Sequence, residues 1–96
     1  MAAVRITALG GVRRCLGWSV RNWEFAGGSV EKLLCSVPTS EGGTLFDLLV
    51  EGDQVKPGYT VLWNGRRLGT VLEMQTEVKG EETLVAIDIV RAMTGG

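Results

Sequence analysis

The chain has 96 residues and a formal net charge of -1, with 10 Lys and Arg residues against 11 Asp and Glu residues. This length holds one domain with a modest core and leaves no room for a separate catalytic domain. The balanced charge provides no broad basic field for nucleic acid, and the lack of histidine excludes Cys-His and Ser-His nucleophile pairs and imidazole metal ligands.

The cysteines and the apolar runs bear on metal binding and on the cellular location of the protein. Cys15 and Cys35 form no C-x-x-C pair, so we expect buried or part-buried thiols and no metal site. The apolar runs are too short to cross a membrane, and the N-terminus lacks the apolar core of a signal peptide. We therefore expect no membrane partner and a cytoplasmic location.

The first 25 residues predict two strands separated by a short connection. Apolar and polar residues alternate from Val4 as far as a glycine pair, as in a strand with one buried face. A second alternating run, 20–25, carries Trp23 and Phe25 on one face, where we expect them to join the core. Between the two runs, 12–17 predicts a short helical or irregular connection.

The clearest helix signal comes next. Ser29 suits the N-cap, because its hydroxyl can accept a hydrogen bond from an unpaired amide of the first turn, and Glu31 complements the helix dipole. Pro38 ends the helix. Its apolar residues recur at i, i+3, i+4 and i+7 and form one stripe to pack on a sheet: Val30, Leu33, Leu34 and Val37.

The middle of the chain predicts a second, shorter helix and a hairpin. Thr44 with Asp47 three residues later indicates a helix start, and the dense apolar residues that follow should tuck this piece under the domain. A strand at 59–63 runs into Asn64-Gly65, a pair that suits a type I′ turn because both central residues need a positive φ. After the return strand, 70–74 predicts another short edge strand or a loop.

The last strand follows Lys79-Gly80 and completes the predicted fold. Its alternation puts three apolar residues on one face: Val85, Ile87 and Ile89. We expect an α+β protein with a β-grasp (ubiquitin-like) fold, in which one main helix packs across a mixed sheet. Periodicity predicts the elements, whereas a parallel pairing of the first and last strands is implied by the resemblance described next. Residues 1–91 would form the domain and 92–96 a flexible tail.

Three segments of the chain, taken together, resemble the ubiquitin-like sulfur carriers of the MoaD/ThiS superfamily. They are the helix start at 27–34, the strand and turn at 61–66, and the ending Thr94-Gly95-Gly96. Within that superfamily the chain is most similar to the MoaD type, the small subunit of molybdopterin synthase. Terminal glycines lack a Cβ and can enter a channel that a bulkier residue would block.

The resemblance implies a sulfur-transfer reaction at the C-terminus. A MoeB/ThiF-type enzyme would use ATP to adenylate the Gly96 carboxylate, and sulfur would then replace an oxygen to give a thiocarboxylate. The tail would enter the active site of a MoaE-like large subunit of molybdopterin synthase and donate sulfur to a pterin precursor. The carrier itself would bind no cofactor, and its partners would supply the catalysis.

The resemblance also assigns roles to individual residues. Gly96 would carry the reactive group and Gly95 would provide clearance. An apolar docking face near the last strand would include Trp63, Leu68 and Met93, although burial tendencies favour a core position for Trp63. The tail-docking contacts would be Arg91, Met93 and Thr94.

Other readings stay open at this stage. The carrier could serve tungsten-cofactor or thiamin synthesis, or the same activation could end in an isopeptide bond, as in a ubiquitin-like protein modifier. A β-grasp interaction module with an incidental Gly-Gly ending is a third reading. A thiol enzyme using Cys15 or Cys35 is the weakest, because no histidine can act as general base.

Overall fold

Apolar alternation and capping signals produce a mixed sheet with helices against one face. The computed structural model describes residues 2–88. Its helices are α1 (Gly11–Leu16), α2 (Val30–Ser36), α3 (Leu45–Leu49) and a 3-10 helix at Glu73–Gln75. Its strands are β1 (Ala2–Leu9), β2 (Val20–Phe25), β3 (Gly28–Ser29), β4 (Val50–Glu51), β5 (Gln54–Val55), β6 (Tyr59–Trp63), β7 (Arg66–Arg67), β8 (Glu77–Val78) and β9 (Glu81–Asp88).

The main sheet has five strands in the order β2-β1-β9-β6-β7. β1 and β9 pair in parallel, and every other neighbouring pair in this sheet is antiparallel. The expected parallel pairing of the first and last strands is therefore confirmed, and β9 becomes the central strand. Two small sheets, β3-β8 and β4-β5, complete an α+β architecture that is consistent with a β-grasp.

β1 has the one-sided burial that its alternation predicted. Val4, Ile6 and Ala8 are fully buried, whereas Ala3 and Arg5 are exposed on the opposite face. The predicted connection after β1 is α1, and its Val12 and Leu16 join the same core.

α2 is capped and packed as its sequence indicates. The Ser29 hydroxyl accepts a hydrogen bond from the Lys32 amide at 3.2 Å, and Glu31 lies in the first turn. The helix ends at Ser36, two residues before Pro38. All four residues of the predicted stripe have no solvent exposure: Val30, Leu33, Leu34 and Val37.

α3 begins with a full capping box. The Asp47 amide donates to the Thr44 hydroxyl at 3.3 Å, and the Thr44 amide donates to the Asp47 carboxylate at 2.9 Å. Each group thus satisfies an amide that the helix itself leaves unpaired. Leu45 and Leu49 are fully buried, which confirms that this segment tucks under the domain.

Two local expectations need correction. Trp23 and Phe25 are half-buried and pack against the core without joining its interior, because β2 is an edge strand with a neighbour on one side only. Of the two alternatives for 70–74, the edge strand is wrong: the segment leads into a 3-10 helix, and Thr70 contributes only an isolated bridge to Gln54. The Glu73 carboxylate accepts hydrogen bonds from the amides of Gly69 and Thr70, and these bonds hold a helical turn in place of a strand.

The turn between β6 and β7 has the predicted conformation. Asn64 and Gly65 have φ angles of 51° and 84°, so both central residues are left-handed, as a type I′ turn requires. The Asn64 side chain adds a link to β9, because its Oδ1 accepts a hydrogen bond from the Thr83 amide at 2.9 Å.

Candidate functional site

The end of β9 defines the part of the molecule from which the C-terminal residues depart. Ile87 lies between Leu9 of β1 and Thr60 of β6, and Asp88 pairs with Tyr59. The predicted tail residues, and Ile89 of the predicted strand face, lie outside the described residues. These tail residues are Arg91, Met93, Thr94, Gly95 and Gly96.

Asp88 is packed tightly against the glycine pair that follows β1. Its side chain is 7% exposed, and an added Cβ at Gly11 would overlap its carboxylate. An added Cβ at Gly10 would come within 2.8 Å of the Asp88 carbonyl oxygen, and Gly10 also has a φ of 63° that favours glycine. The two glycines therefore let α1 start directly against the last described residue of β9.

The sheet face opposite the core carries an apolar surface beside this strand end. We call it the apolar band, and the strand registers define it. One row of cross-strand neighbours spans all five strands, and a second row lies next to it. The first row is Val20, Thr7, Val85, Leu62 and Arg67, and the second is Leu9, Ile87 and the buried Thr60. The apolar members are Val20, Val85, Leu62, Leu9 and Ile87.

Two members of the apolar band are among the most exposed apolar residues of the described chain. Leu9 is 44% exposed and Val20 is 46% exposed. Leu62, Val85 and Ile87 are partly exposed between them. The next rows toward the start of β9 are mainly polar, with Asn22, Arg5 and Thr83, then Glu24, Ala3 and Glu81. The apolar surface is thus confined to the end of the sheet where β9 ends.

Sequence reasoning singled out Val85 and Ile87 as one face of β9 but did not recognise that this face is the open one. The buried face holds Leu84, Ala86 and Asp88. The missed signal was the alternation in β1. Its even-numbered residues are buried, so its odd-numbered residues, such as Leu9, have to face away from the helices.

Trp63 and Leu68, the two predicted docking residues within the described chain, lie elsewhere. They are 5% and 1% exposed, so they belong to the core and offer a partner almost no surface. Trp63 also lies at the opposite end of β6 from Tyr59, the residue that pairs with Asp88, and about 13 Å from it along the strand. Both line the floor of a shallow groove of about 340 Å³ that Arg66 and Lys79 border.

The cysteines are separate thiols in different surroundings. Cys15 is half-buried, as expected, whereas Cys35 is exposed, because its position on α2 faces away from the buried stripe. Partial desolvation, followed by the nearby carboxylates of Glu31 and Asp47, raises the pKa of the Cys35 thiol above its ordinary value. A raised pKa keeps this thiol protonated, which makes it a poor nucleophile at neutral pH.

Metal-binding clusters and membrane-spanning helices are both missing from the described part of the chain. Among residues 2–88, no group of three or more Cys, Asp or Glu residues is arranged to bind a metal ion. Within the same residues, no helix has the length and apolar character needed to span a bilayer.

Comparison with known proteins defines the class of fold. No protein-family model matches the chain, and no curated protein matches it by sequence. The structure is similar to the solution structure of the Haloferax volcanii HVO 2177 protein, with a TM-score of 0.67 and 21% sequence identity. The match covers 92% of this chain and 83% of that protein. At this identity the likeness shows a shared α+β fold.

Proposed function

We propose that this protein has a β-grasp fold and is a ubiquitin-like sulfur carrier of the MoaD type, with Gly96 as the C-terminal residue that is activated. One relationship carries the proposal. β9 is the central strand, its described part ends beside the apolar band, and the eight residues that follow Asp88 finish in Gly95-Gly96. The reactive tail would thus leave the sheet at the end where the apolar band offers a surface to a partner.

The reach of the tail fits this role. Eight residues in extended conformation span at most about 29 Å, which is enough to enter a neighbouring active site while the apolar band contacts the rim of that site. Leu9 and Val20 would supply the most apolar area at the contact, since each exposes close to half of its surface. Arg91, Met93 and Thr94 would contact the partner as the tail docks.

The chemistry requires activation because a carboxylate is a poor electrophile. An oxygen of the Gly96 carboxylate attacks the α-phosphorus of ATP, and pyrophosphate leaves to give an acyl-adenylate. A hydrosulfide-equivalent donor then attacks the carbonyl carbon, AMP leaves with the C–O bond electrons, and a thiocarboxylate remains. A MoeB/ThiF-type enzyme supplies this catalysis, and a MoaE-like subunit then passes the sulfur to a pterin precursor.

The apparent lack of catalytic groups agrees with a carrier role. The sequence has no histidine, and the Cys35 thiol is held protonated by its surroundings. A protein that acts as a bound reagent needs no general base of its own, because the activating enzyme provides the leaving group and the donor.

Intact mass spectrometry tests the proposal. The protein is incubated with a MoeB-type or ThiF-type adenylating enzyme, Mg-ATP and sodium sulfide, and its mass is compared before and after. We expect a gain equal to the difference between a sulfur and an oxygen atom, located on Gly96 by fragmentation. A variant lacking Gly95 and Gly96 should not gain mass, whereas Gly80→Ala, at an open position, should behave as wild type.

Two outcomes would overturn the proposal. The first is an unchanged mass with both enzymes; the second is protein from its native source that continues beyond Gly96. Covalent ladders joined to lysines of other proteins, with no free thiocarboxylate, would identify a protein modifier instead. The choice of productive enzyme, MoeB-type or ThiF-type, separates the molybdopterin and thiamin routes.

A further inference from the structure

β2 forms an edge of the main sheet with unpaired backbone groups. The Ala8 amide donates to the Ser19 carbonyl at 2.7 Å, and antiparallel pairing alternates from there along the two strands. This alternation directs the N–H and C=O groups of Val20, Asn22 and Glu24 away from β1. No strand within residues 2–88 pairs with that outer side. Such a row of alternating donors and acceptors is a template for one more strand.

The side chains on the α2 side of this edge form an ordered cationic and aromatic cluster. The Arg21 guanidinium carbon lies 5.9 Å from the centre of the Trp18 ring and 5.5 Å from the centre of the Trp23 ring. Trp23 is held in turn, because its indole N–H donates to the Ser36 hydroxyl of α2 at 3.2 Å. Arg21 is thus supported on two indole rings beside the unpaired strand edge.

Further exposed cations lie on the two helices that precede and follow β2 in the chain. Arg13 and Arg14 are exposed on the last turn of α1, which precedes Trp18 in the chain. The aliphatic part of the Lys32 side chain lies close to the Phe25 ring, because an added Cβ on Gly28 would contact both. Within residues 2–88, no ion pair neutralises these three cations or Arg21. The acidic residue of β2, Glu24, points to the opposite face of the sheet.

We propose that the outer edge of β2 binds an extended acidic segment of a partner protein by strand addition. The backbone groups of Val20, Asn22 and Glu24 would bond to the added strand. Its acidic side chains on the α2 side would pair with Arg21, and its apolar side chains, which point to the opposite face of the sheet, would lie beside Val20. We name this surface the β2 edge.

The hydrogen-bonding groups of the β2 edge favour a peptide as its ligand. A peptide presents both donors and acceptors at the spacing of β2, whereas a nucleic acid backbone presents acceptors only. Base stacking would also have to compete with Arg21 for the ring faces of Trp18 and Trp23 that its guanidinium overlies. Acidic side chains complement the positive charge along the edge without displacing this stack.

NMR titration of the full chain tests the proposal. The probe is a synthetic ten-residue peptide of alternating valine and glutamate at low salt, and the control peptide carries lysine in place of glutamate. We expect the amide signals of Val20, Asn22 and Glu24 to move with the acidic peptide alone, and the affinity to fall as salt is added.

Matched variants separate backbone pairing from charge. Asn22→Pro removes an outward N–H without breaking a bond to β1, so it should weaken binding about fivefold, whereas Asn22→Ala should bind normally. Arg21→Glu should weaken binding about tenfold or more, and the same charge reversal at Arg67, on the other edge of the sheet, should not.

Any of four results would overturn the proposal. These are equal binding of the acidic and basic peptides, amide shifts at Leu9, Val85 and Ile87 without shifts at Asn22 and Glu24, no shift at millimolar peptide, or preferential binding of a single-stranded oligothymidylate. The proposal does not depend on sulfur transfer. A chain that lacks Gly95 and Gly96 should bind the peptide as wild type does, so failure of one proposal leaves the other standing.

Discussion

The carboxylate of Asp88 lies where the side chain of any other residue at position 11 would begin. Gly11 is fully buried at the start of α1, and Asp88 is the last described residue of the central strand. The absence of a single methyl group thus sets how closely α1 approaches the end of β9. Packing at this contact fixes the position from which the C-terminal residues continue.

Gly11→Ala should destabilise the protein by about 1–3 kcal/mol, because the new methyl group must displace Asp88 or α1 in a packed region. Gly80→Ala is the matched control, since nothing lies within 4 Å of an added Cβ there, and its free energy of unfolding should change by less than about 1 kcal/mol. Urea denaturation measures both. In an Asp88→Ala background the cost of Gly11→Ala should shrink; an unchanged cost would mean that the contact is not its cause.

The type I′ turn gives a second prediction. Asn64 combines a φ of 51° with a side-chain hydrogen bond to the Thr83 amide, so Asn64→Ala should cost about 1–2 kcal/mol through backbone strain and the lost bond. Asn64→Gly relieves the strain and loses only the bond, so it should be the milder change. Thermal unfolding followed by circular dichroism checks the order, and an equal loss for both variants would leave the hydrogen bond as the only contribution.

The Glu73 carboxylate links stability to pH. Hydrogen bonds from the Gly69 amide first, then from Thr70, with a smaller contribution from the Arg66 charge, lower the pKa of Glu73 below its usual 4.5. A lowered folded-state pKa means that the bonded carboxylate stabilises the fold above its unfolded pKa, and that this stabilisation is lost as pH falls through the folded pKa. Glu73→Gln should therefore flatten the acid limb of the stability curve.

NMR titration of the Glu73 side-chain carboxyl carbon measures the same effect directly. Its midpoint should lie below 4.5, the ordinary pKa of a glutamate carboxyl. A midpoint at or above 4.5 would contradict the bonding described for the turn at Gly69 and Thr70. Because Glu73 is fully exposed, ionic strength should reduce the Arg66 contribution and leave the amide bonds intact.

The sequence predicts most of the elements because their signals are local. Ser29 and the stripe on α2, the Thr44-Asp47 pair and the Asn64-Gly65 turn each act within a few residues, and all are found as expected. The docking residues were harder to place because exposure depends on which strands are neighbours. Leu68 is predicted from the sequence to contact a partner but is buried, whereas Leu9, although apolar, lies on the open face.

The same limit explains why the β2 edge was not foreseen. Arg21, Trp18 and Trp23 are ordinary residues of an alternating run, and nothing in their order says that Val20–Phe25 has a neighbour on one side only. Trp23 seemed a core residue because aromatic side chains usually bury most of their surface. Position at the sheet edge, a property of the whole topology, leaves it half-buried and in contact with Arg21.

The last prediction concerns the apolar band and depends on the proposed sulfur-carrier function. Leu9→Asp puts a charge at an exposed apolar position beside the end of β9, where a partner that takes up the tail would have to desolvate it. We expect kcat/KM for adenylation of Gly96 to fall by about tenfold or more, mainly through KM, while stability changes little because Leu9 is 44% exposed.

The control is Leu72→Asp, the same change at a residue that is 82% exposed and lies outside the band, and it should leave both kinetic constants unaltered. Pyrophosphate release during activation gives the rates, and urea denaturation confirms that both variants fold. Equal rates for Leu9→Asp and wild type would remove the apolar band from the docking surface and leave recognition to the tail alone.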